Sequence, residues 1–560
     1  MLWILSDLRV PAIFLRWGSS SAVETANMNE KQKSETPSSS TPPHSPSSTT
    51  LARNEKHQLT EEEGYDKLGY SFPTWKKWMI LSVIFIIQVS MNFNAAVYPN
   101  AVQRLSDHFS ISLQAARVGQ MIFLVAYAFG SELWAPWSEE LGRWPIIQAS
   151  LFLVNIWQIP CALAPNFGTI VIGRFLGGIS SAGGSVTLGM VADMWDAEDQ
   201  QFAVAFIVLS SVGGSSIGPV VGAFIEKNLE WQWNFWIQLM FGVFVQAVHF
   251  FFVSETRSSV LLDREAKRLR KAGRENVYGP GEMKEHRFER KEILATWARP
   301  FVMFAREPIV LCLSLLSGFS DGLIFCFMEA FSPVYKQWGF GTIGLGLAFV
   351  PINIGYLLAY ASYMYPIIKH RRIMKRNPEQ LTPESRLWWL LWTAPLEAIG
   401  LFGFAWTSFG PPNVPWIAPM MFSVLIAIAN YCIYMSTIDY MVAAYGVYSA
   451  SATGGNALAR DFIAGISAMY ATPLYNNLGP HSLQWASTLL AFLAALVTIP
   501  IYVFYVKGPQ LRAASKFAQT LAHEKVGRRP TQKGGMGHEE VPRVASVGEK
   551  ALAGRLEEGP

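Results

Sequence analysis

Twelve apolar stretches, each long enough to cross a lipid bilayer, constrain this 560-residue chain more than any other feature. A transmembrane helix needs about 20 consecutive apolar residues, and only helices or closed barrels satisfy their backbone hydrogen bonds in lipid. The stretches are too long for barrel strands, so the sequence predicts an all-α membrane protein. Numbered one to twelve, these spans lie near residues 78–98, 118–137, 145–164, 168–192, 202–225, 233–253, 308–334, 344–367, 388–409, 416–440, 447–475 and 485–506.

The spans separate into two sets of six, which predicts two six-helix bundles. The predicted boundaries are a disordered tail at 1–75, a first bundle at 76–253, a basic linker at 254–307, a second bundle at 308–507 and a tail at 508–560. Residues 35–50 are rich in Ser, Thr and Pro, a composition that cannot bury a core. Residues 1–27 are interpreted as a dispensable leader before a start at Met28, with a targeting segment as the alternative.

The distribution of basic residues predicts the orientation in the membrane. The linker at 254–307 holds thirteen Lys and Arg, and the loop at 368–387 holds six. The loops on the opposite side carry only four, at Arg104, Arg117, Lys227 and Lys336. Because basic loops stay in the cytoplasm, we expect both large loops and both termini to be cytoplasmic.

Composition excludes several functional classes. The chain is 51% hydrophobic and 15% charged, with a net charge of only +4 that predicts no nucleic-acid partner. It contains no Gly-x4-Gly-Lys-Ser/Thr loop for nucleotides and no His/Cys pair with metal-ligand spacing, and its four cysteines all lie in apolar spans. The prediction is therefore a protein without enzymatic activity, cofactor or bound metal.

The two halves share a pattern at corresponding positions. Span four ends in Asp193 before a span rich in Gly and Ser, and span ten ends in Asp439 before a span containing SATGGNALAR. Facing structural repeats are typical of transporters, whose substrate site lies near the midplane between them.

Four short stretches carry a family resemblance. They are residues 135–143 (APWSEELGR), Arg174 to Gly178, Gly214 to Gly222, and SET at 254–256 followed by a basic segment to Arg270. Together, and in this order, they resemble the major facilitator superfamily, and within it the fungal twelve-span drug:proton antiporters that include polyamine and azole exporters. Three departures from the family pattern weaken the inner charge cluster: Ala135 stands where the pattern has Gly, Trp144 stands where it has Arg or Lys, and the loop after Asp193 lacks the customary basic residue.

The resemblance implies that spans one, four, seven and ten line a central cavity. The polar residues expected there, together with one from span eleven, are Gln88, Asn92, Asn94, Arg174, Asn430, Tyr431, Tyr434 and Asn456. For Asn456, which shares a helix face with Arg460, a packing or capping role is the equal alternative.

Three charged residues are candidates for proton coupling. An ionisable residue inside a span is a functional hypothesis by default, and desolvation lets a carboxyl group exchange protons near neutral pH. Glu329 is the first candidate carrier and Asp321 the alternative, while Arg174 is expected to set the electrostatics around them. The structural alternatives are that Arg174 anchors span four and that Glu329 makes a helix contact.

Two further sets are predicted to control the conformational change. The resemblance implies an inner latch of Glu139, Gly142, Arg143 and Asp193, mirrored by Asp439 with Arg371 or Arg372; solvated loop charges are the alternative. Gly214, Gly218, Pro219 and Gly222 are hinge candidates in span five, with tight helix packing as the alternative.

The leading hypothesis is a monomeric, proton-coupled efflux transporter for small amphipathic organic compounds such as toxins, drugs or secondary metabolites. Its partners would be that substrate, protons and the lipid bilayer, and its location the plasma membrane, with the vacuolar membrane as the alternative. Open alternatives are an importer of a nutrient, a polyamine transporter and a non-transporting receptor.

Overall fold

The computed structural model describes residues 56–196, 199–283, 290–377 and 380–515, together with Phe517. The predicted leader, the Ser/Thr/Pro-rich segment and almost all of the C-terminal tail lie outside these residues. Within the described part of the chain, strand structure is limited to a two-residue parallel pair, β1 (His57–Gln58) and β2 (Val277–Tyr278). The prediction of an all-α protein is confirmed.

Helices occupy the positions of all twelve predicted spans. Spans one to six are Thr74–Ala96, Leu113–Leu141, Arg143–Ala162, Phe167–Ile179 continued by Gly183–Met194, Gln200–Asn228 and Trp233–Phe252. Spans seven to twelve are Pro308–Tyr335, Thr342–Leu347 continued by Val350–Arg376, Leu390–Thr393 continued by Pro395–Thr407, Ile417–Tyr445, Ser449–Asn476 and Ser482–Ala514.

Ten helices in the described residues are long and apolar enough to cross a membrane by themselves. Span four falls outside this set because its helix is interrupted after Ile179, and span eleven because it carries Asn456, Arg460 and Asp461 among small residues. Both therefore depend on neighbouring helices to cover their polar groups.

Shorter helices flank or connect the spans. They are Tyr65–Lys67, Gly69–Ser71, Tyr98–Ala101, Val102–Phe109, Ser258–Lys271, Pro280–Met283, Arg290–Arg306, Lys336–Trp338, Pro383–Leu387 and Gly446–Tyr448. Because successive spans are joined by short connections, they run alternately in opposite directions. We call the face that carries the segment between spans six and seven the linker face, and the opposite one the far face.

The spans form two bundles. In the first, span one packs against spans five and six, and span three against four and six. In the second, span ten packs against eight and nine, span nine against twelve, and span seven against eleven. The bundles meet where span two packs on span eleven and where span five packs on spans eight and ten.

The start of the described chain packs on the linker, although residues 1–75 were predicted as a disordered tail. β1 pairs with β2, and Leu59 and Leu68 share a small apolar cluster with Leu262 of the helix Ser258–Lys271. In the same linker segment Arg270 binds Glu282 through two bonds of 2.6 and 2.7 Å, and this guanidinium lowers the pKa of the Glu282 carboxyl. The bundle boundaries predicted from the sequence remain predictions.

Candidate functional site

A cavity of about 620 Å³ lies between the two bundles at the far face. Its wall is formed by spans two, five, seven, eight and eleven and by the short helices that follow spans one and seven. Because both bundles contribute, any movement of one bundle against the other changes the shape of this cavity. A site at the junction of two repeats is the arrangement that transporters use for their substrates.

The cavity wall combines apolar surface with a balanced set of charges. Its apolar side chains include Met328, Phe331, Phe340, Leu345 and Phe349. Its charged side chains are Arg117, Glu226, Glu329 and Lys336. Two acids therefore face two bases, and the lining as a whole has no excess of either charge.

Glu329 joins the two bundles across this cavity. Its carboxylate lies 2.8 Å from the guanidinium of Arg117 on span two, and Thr472 of span eleven donates to the same oxygen at 3.0 Å. Both charged side chains are 10% exposed. The prediction that Arg117 lies in a loop is wrong: span two begins at Leu113, so Arg117 lies one turn inside it.

On the linker face the bundles are in direct contact. Arg371 of span eight lies 2.8 Å from Asp199, at the start of span five. Gln201 of span five donates a hydrogen bond to Asp439 of span ten. Tyr431 of span ten donates to the carbonyl of Ala205 in span five at 2.9 Å, so span five is held along its first turns by the second bundle.

Part of the predicted inner latch is assembled within the first bundle. Arg143 at the start of span three lies 2.9 Å from Asp193 at the end of span four, and Arg257 approaches the same carboxylate at 3.5 Å. Gly142 has φ +107°, a conformation that side chains rarely adopt. Among the described residues, Glu139 forms no ion pair with this cluster.

A residue not among the predicted latch residues, Glu255, completes this cluster. Its carboxylate accepts from the backbone N–H groups of Arg143 and Trp144 at 2.9 and 3.2 Å, so it caps the start of span three. A Cβ at position 142 would collide with the same carboxylate. The SET motif at 254–256 contains this glutamate, and only the fold brings it to the start of span three.

The partner predicted for Asp439 is wrong. Its carboxylate lies 3.3 Å from Arg386, and Arg371 binds Asp199 instead. Arg386 belongs to the short helix Pro383–Leu387, which packs against span ten. The sequence favoured neither arginine as the partner of Asp439, because both lie in the loop predicted at 368–387.

Arg174 is fully buried and is held by polar groups of neighbouring spans. It donates to the carbonyl and side-chain oxygens of Asn94 at 3.0 and 2.8 Å and to the carbonyl of Gly119 at 3.2 Å. Its guanidinium also lies 4.0 Å from the ring centre of Phe123. No carboxylate pairs with it among the described residues, so its contacts tie span four to spans one and two.

The other polar residues expected in the cavity lie elsewhere in this conformation. Gln88 binds Ser211 at 3.3 Å and Asn92 binds the carbonyl of Gln88, both inside the first bundle. Asn430 donates to Ser320 at 3.1 Å and accepts from Tyr356 at 3.1 Å, and Asn456 donates to Thr437 at 3.3 Å; these contacts lie inside the second bundle. Of the site residues predicted from the sequence, Glu329 and Pro219 line the cavity.

The small residues of span five allow close contact with its neighbours. A Cβ at Gly218 would meet the Cβ of Ala96 at 2.5 Å, and one at Gly214 would meet the carbonyl of Val89 at 2.9 Å. Gly222 faces Asn100 in the same way. The helix runs without a break through Pro219, so in this conformation these residues serve tight packing.

A second group of charges lies deeper between the bundles. Asp321 of span seven approaches Arg460 of span eleven at 3.9 Å, and Arg460 lies 4.3 Å from the ring centre of Tyr434. Asp461 and, from the first bundle, Glu132 complete this group. These two carboxyl groups were missed in the sequence because each lies in a segment that otherwise reads as apolar or small.

One further buried carboxyl group was missed in the second bundle. Glu397 of span nine is fully buried, accepts a hydrogen bond from Ser320 of span seven and has no cationic partner among the described residues. Its position inside an apolar span was the available signal.

Comparison with known proteins identifies the family. Residues 81–460 match the model of the Major Facilitator Superfamily. The chain is 31% identical over 450 residues to the MFS-type transporter acdC of Aspergillus candidus, covering 79% of this chain and 87% of that protein. It is 29% identical over 462 residues to the citrinin biosynthesis cluster MFS transporter mrr1 of Monascus ruber, covering 81% and 90%.

Solved structures agree on the fold. The proton:xylose symporter XylE bound to 6-bromo-6-deoxy-D-glucose matches with a TM-score of 0.53 and 14% identity, covering 78% of this chain and 97% of that one. The chain belongs to the Major Facilitator Superfamily and is a multi-pass membrane transporter of small molecules.

Proposed function

We propose that this protein exports small amphipathic organic compounds, such as toxins, drugs or secondary metabolites, in exchange for protons by alternating access. The observation that carries the proposal is the cavity between the bundles, open at the far face, closed at the linker face and crossed by the Arg117–Glu329 pair. A cavity accessible from one face at a time is what alternating access requires.

The lining of the cavity supports amphipathic substrates. Aromatic and apolar groups such as Phe331 and Phe349 would hold a hydrophobic body, while the charged groups offer hydrogen bonds at its rim. The relatives support the same class: one belongs to the ascochitine biosynthesis cluster of Didymella fabae and another to the citrinin cluster of Monascus ruber, both fungi. A dedicated metabolite exporter is therefore the form of this function that we favour.

Proton coupling is proposed to act through Glu329, with Asp321 as the alternative carrier. Protonation of Glu329 would remove the charge that binds Arg117, and so would weaken a contact between the bundles. Arg174 is proposed to act indirectly, because its contacts fix the positions of spans one, two and four. One elementary charge moved across 100 mV is worth about 2.3 kcal/mol, enough to drive a substantial substrate gradient.

The gating and orientation proposals follow from the same arrangement. Arg143, Asp193 and Gly142 would keep the first bundle rigid at the linker face, Asp439 would hold the bundles together there, and Glu139 remains a predicted member of this latch. The glycines and Pro219 of span five would bend or slide against span one as the bundles rotate. The basic linker face would be cytoplasmic, with both termini on that side, in a monomer of the plasma or vacuolar membrane.

The alternatives receive less support. An importer of a nutrient would use the same cavity, and the names of the relatives argue against it only by analogy. A polyamine transporter needs an excess of acidic groups, whereas the cavity acids Glu226 and Glu329 are matched by Arg117 and Lys336. A non-transporting receptor would leave the charge pair across the cavity without a purpose.

The test is accumulation of labelled compounds in efflux-deficient yeast that expresses the protein, with and without a protonophore. The probes are an azole, spermine and an uncharged aromatic metabolite. We expect the cells to lose the azole or the aromatic probe, and the protonophore to prevent this loss. Glu329→Gln should abolish the loss. The control Glu230→Gln, in the connection between spans five and six, should retain it. Unchanged accumulation of all three probes, with the protein present at the cell surface, would reject broad export.

A further inference from the structure

Glu132 of span two lies against span eleven of the other bundle. Its side chain is buried, with 2% of the residue exposed, and it packs over Gly454, where a Cβ would collide with the carboxylate. Gly454 therefore leaves the space that the glutamate occupies between the two bundles. The position lies about two-thirds of the way along span two from the far face, well inside the closed part of the interface.

The charges around Glu132 are mostly negative. Span eleven contributes Asp461 and Arg460, and span seven contributes Asp321. Asp461 and Asp321 share the guanidinium of Arg460, whereas Glu132 forms no ion pair with it among the described residues. Two like charges in a water-poor interface repel one another far more strongly than they would in water.

Arg460 is already committed to a neighbour. It donates to one oxygen of Asp461 through two nitrogens, at 3.1 and 2.9 Å, and reaches Asp321 only at 3.9 Å. One oxygen of Glu132, the second oxygen of Asp461 and one nitrogen of Arg460 are buried without a hydrogen-bond partner among the described residues. Glu132 therefore has no cation of its own, and a buried carboxyl group in that position is stable only when it is neutral.

The other charged groups on the elements that neighbour Glu132 contact residues other than Glu132. Arg174 of span four binds Asn94, Asp193 at the end of that span binds Arg143, and Arg299 of the helix Arg290–Arg306 lies over the ring of Tyr448. Two tyrosines, Tyr127 of span two and Tyr434 of span ten, lie near Arg460. None of these described groups supplies Glu132 with a positive charge.

We propose that Glu132 is a proton-binding residue whose protonation links proton occupancy to closure of the bundles on the linker face. The inference rests on the proposed proton coupling and adds to it the position where a proton is held. In the closed arrangement Glu132 takes a proton from water and becomes neutral. When spans two and eleven separate, water reaches the carboxyl group, the repulsion from Asp461 weakens with distance, and the proton leaves to that water.

The sign of the linkage follows from this difference. Because Glu132 holds its proton more tightly when the bundles are closed on the linker face, lowering the pH favours that state and raising it favours separation. Glu397 provides the contrast. It is equally buried and without a cation among the described residues, but its contact with Ser320 lies within one bundle and moves with it.

The experiment measures the distance between the bundles as a function of pH, without any substrate. Spin labels are placed at Asn228→Cys and Asn477→Cys, exposed positions at the far face of the first and second bundle. Cys312, the one native cysteine that is not buried, is replaced by alanine. Glu132→Gln, which keeps the shape and removes the charge, is compared with Glu397→Gln in nanodiscs between about pH 6 and about pH 8.

We expect the ratio of open to closed far-face distances in the unsubstituted protein to change at least roughly threefold over this range. Glu132→Gln should remain at the low-pH ratio throughout, whereas Glu397→Gln should titrate as the unsubstituted protein does. A titration that survives Glu132→Gln overturns this inference and leaves proton coupling elsewhere intact. If the distances in the unsubstituted protein do not change with pH, both the assignment to Glu132 and the proposed proton coupling are overturned. If the titration is lost in Glu132→Gln and in Glu397→Gln alike, the assignment to Glu132 is overturned.

Discussion

Each bundle carries an Arg–Asp pair at a corresponding position of the linker face. The two pairs differ in whether their further contacts stay within one bundle or reach the other. In the first bundle Arg143 binds Asp193 at the end of span four, and the cluster is completed by Glu255 of the same bundle. In the second, Arg386 binds Asp439 at the end of span ten, and the same carboxylate accepts from Gln201 of the first bundle.

This difference separates two tasks. All contacts of the Arg143–Asp193 pair lie within the first bundle, so losing the pair should lower the stability of that bundle. The second pair shares its carboxylate across the interface, so its contacts should bias the equilibrium between the open and closed arrangements. Repeats that look alike in the sequence therefore need not act alike in a conformational change.

Arg143→Ala should give the largest effect. It leaves Asp193 buried beside only the more distant Arg257 and removes the bond from Arg143 to Ser138 at 2.6 Å. Breaking one partner of a buried pair costs about 3–5 kcal/mol of stability. Thermal unfolding of the purified protein should show this loss, while Arg268→Ala, whose side chain is 69% exposed, should leave the transition unchanged. A midpoint equal to that of Arg268→Ala would mean that the pair has no structural role.

Gly142→Ala should follow. The backbone there has φ +107°, and the new Cβ would displace the Glu255 carboxylate that caps span three. We expect a loss of about 2–3 kcal/mol. The same unfolding measurement checks it, with Gly273→Ala as the control: that glycine also has positive φ, +100°, but nothing lies within 4 Å of its Cβ position. If Gly142→Ala and Gly273→Ala lose the same unfolding free energy, the effect comes from backbone strain alone and not from the contact with Glu255.

Gln201→Leu tests the second pair. It removes the hydrogen bond between the bundles and leaves Arg386 with Asp439. The loss of a hydrogen bond to a charged group, about 1.5 kcal/mol, should change the ratio of open to closed far-face distances roughly tenfold with little change in unfolding. Gln238→Leu is the matched control, because Gln238 binds Ser90 inside the first bundle. If both substitutions shift the distances equally, the proposed division of tasks fails.

Arg371→Ala should have the smallest effect. The Arg371–Asp199 pair also joins the bundles, but its side chains are 40% and 38% exposed. Such a pair contributes about 0.2–1 kcal/mol and is screened by salt. The distance ratio should shift less than for Gln201→Leu, and the shift should vanish at high ionic strength. A large shift that is insensitive to salt would show that this contact, rather than Asp439, holds the linker face closed.

The sequence by itself determined the twelve helical segments, the division into two bundles and the family, because a bilayer imposes length and hydrophobicity on every span. The family resemblance carried by its motifs also implied that Arg143 lies near Asp193, as the structure shows. The prediction failed at Arg117, where the helix starts earlier than its apolar run, and at Asp439, where several arginines of one predicted loop were possible partners.

Only the tertiary structure decided which charges meet. Glu329 and Arg117 are 212 residues apart, and Gln201 and Asp439 are 238 apart, so no local pattern connects them. The surroundings of Glu132 likewise depend on the fold, which brings Gly454 against its carboxylate and lets Asp321 and Asp461 share Arg460. Hydrophobic length specifies that a helix crosses the membrane, whereas the rotation of that helix and its partners are set by side-chain packing across the whole fold.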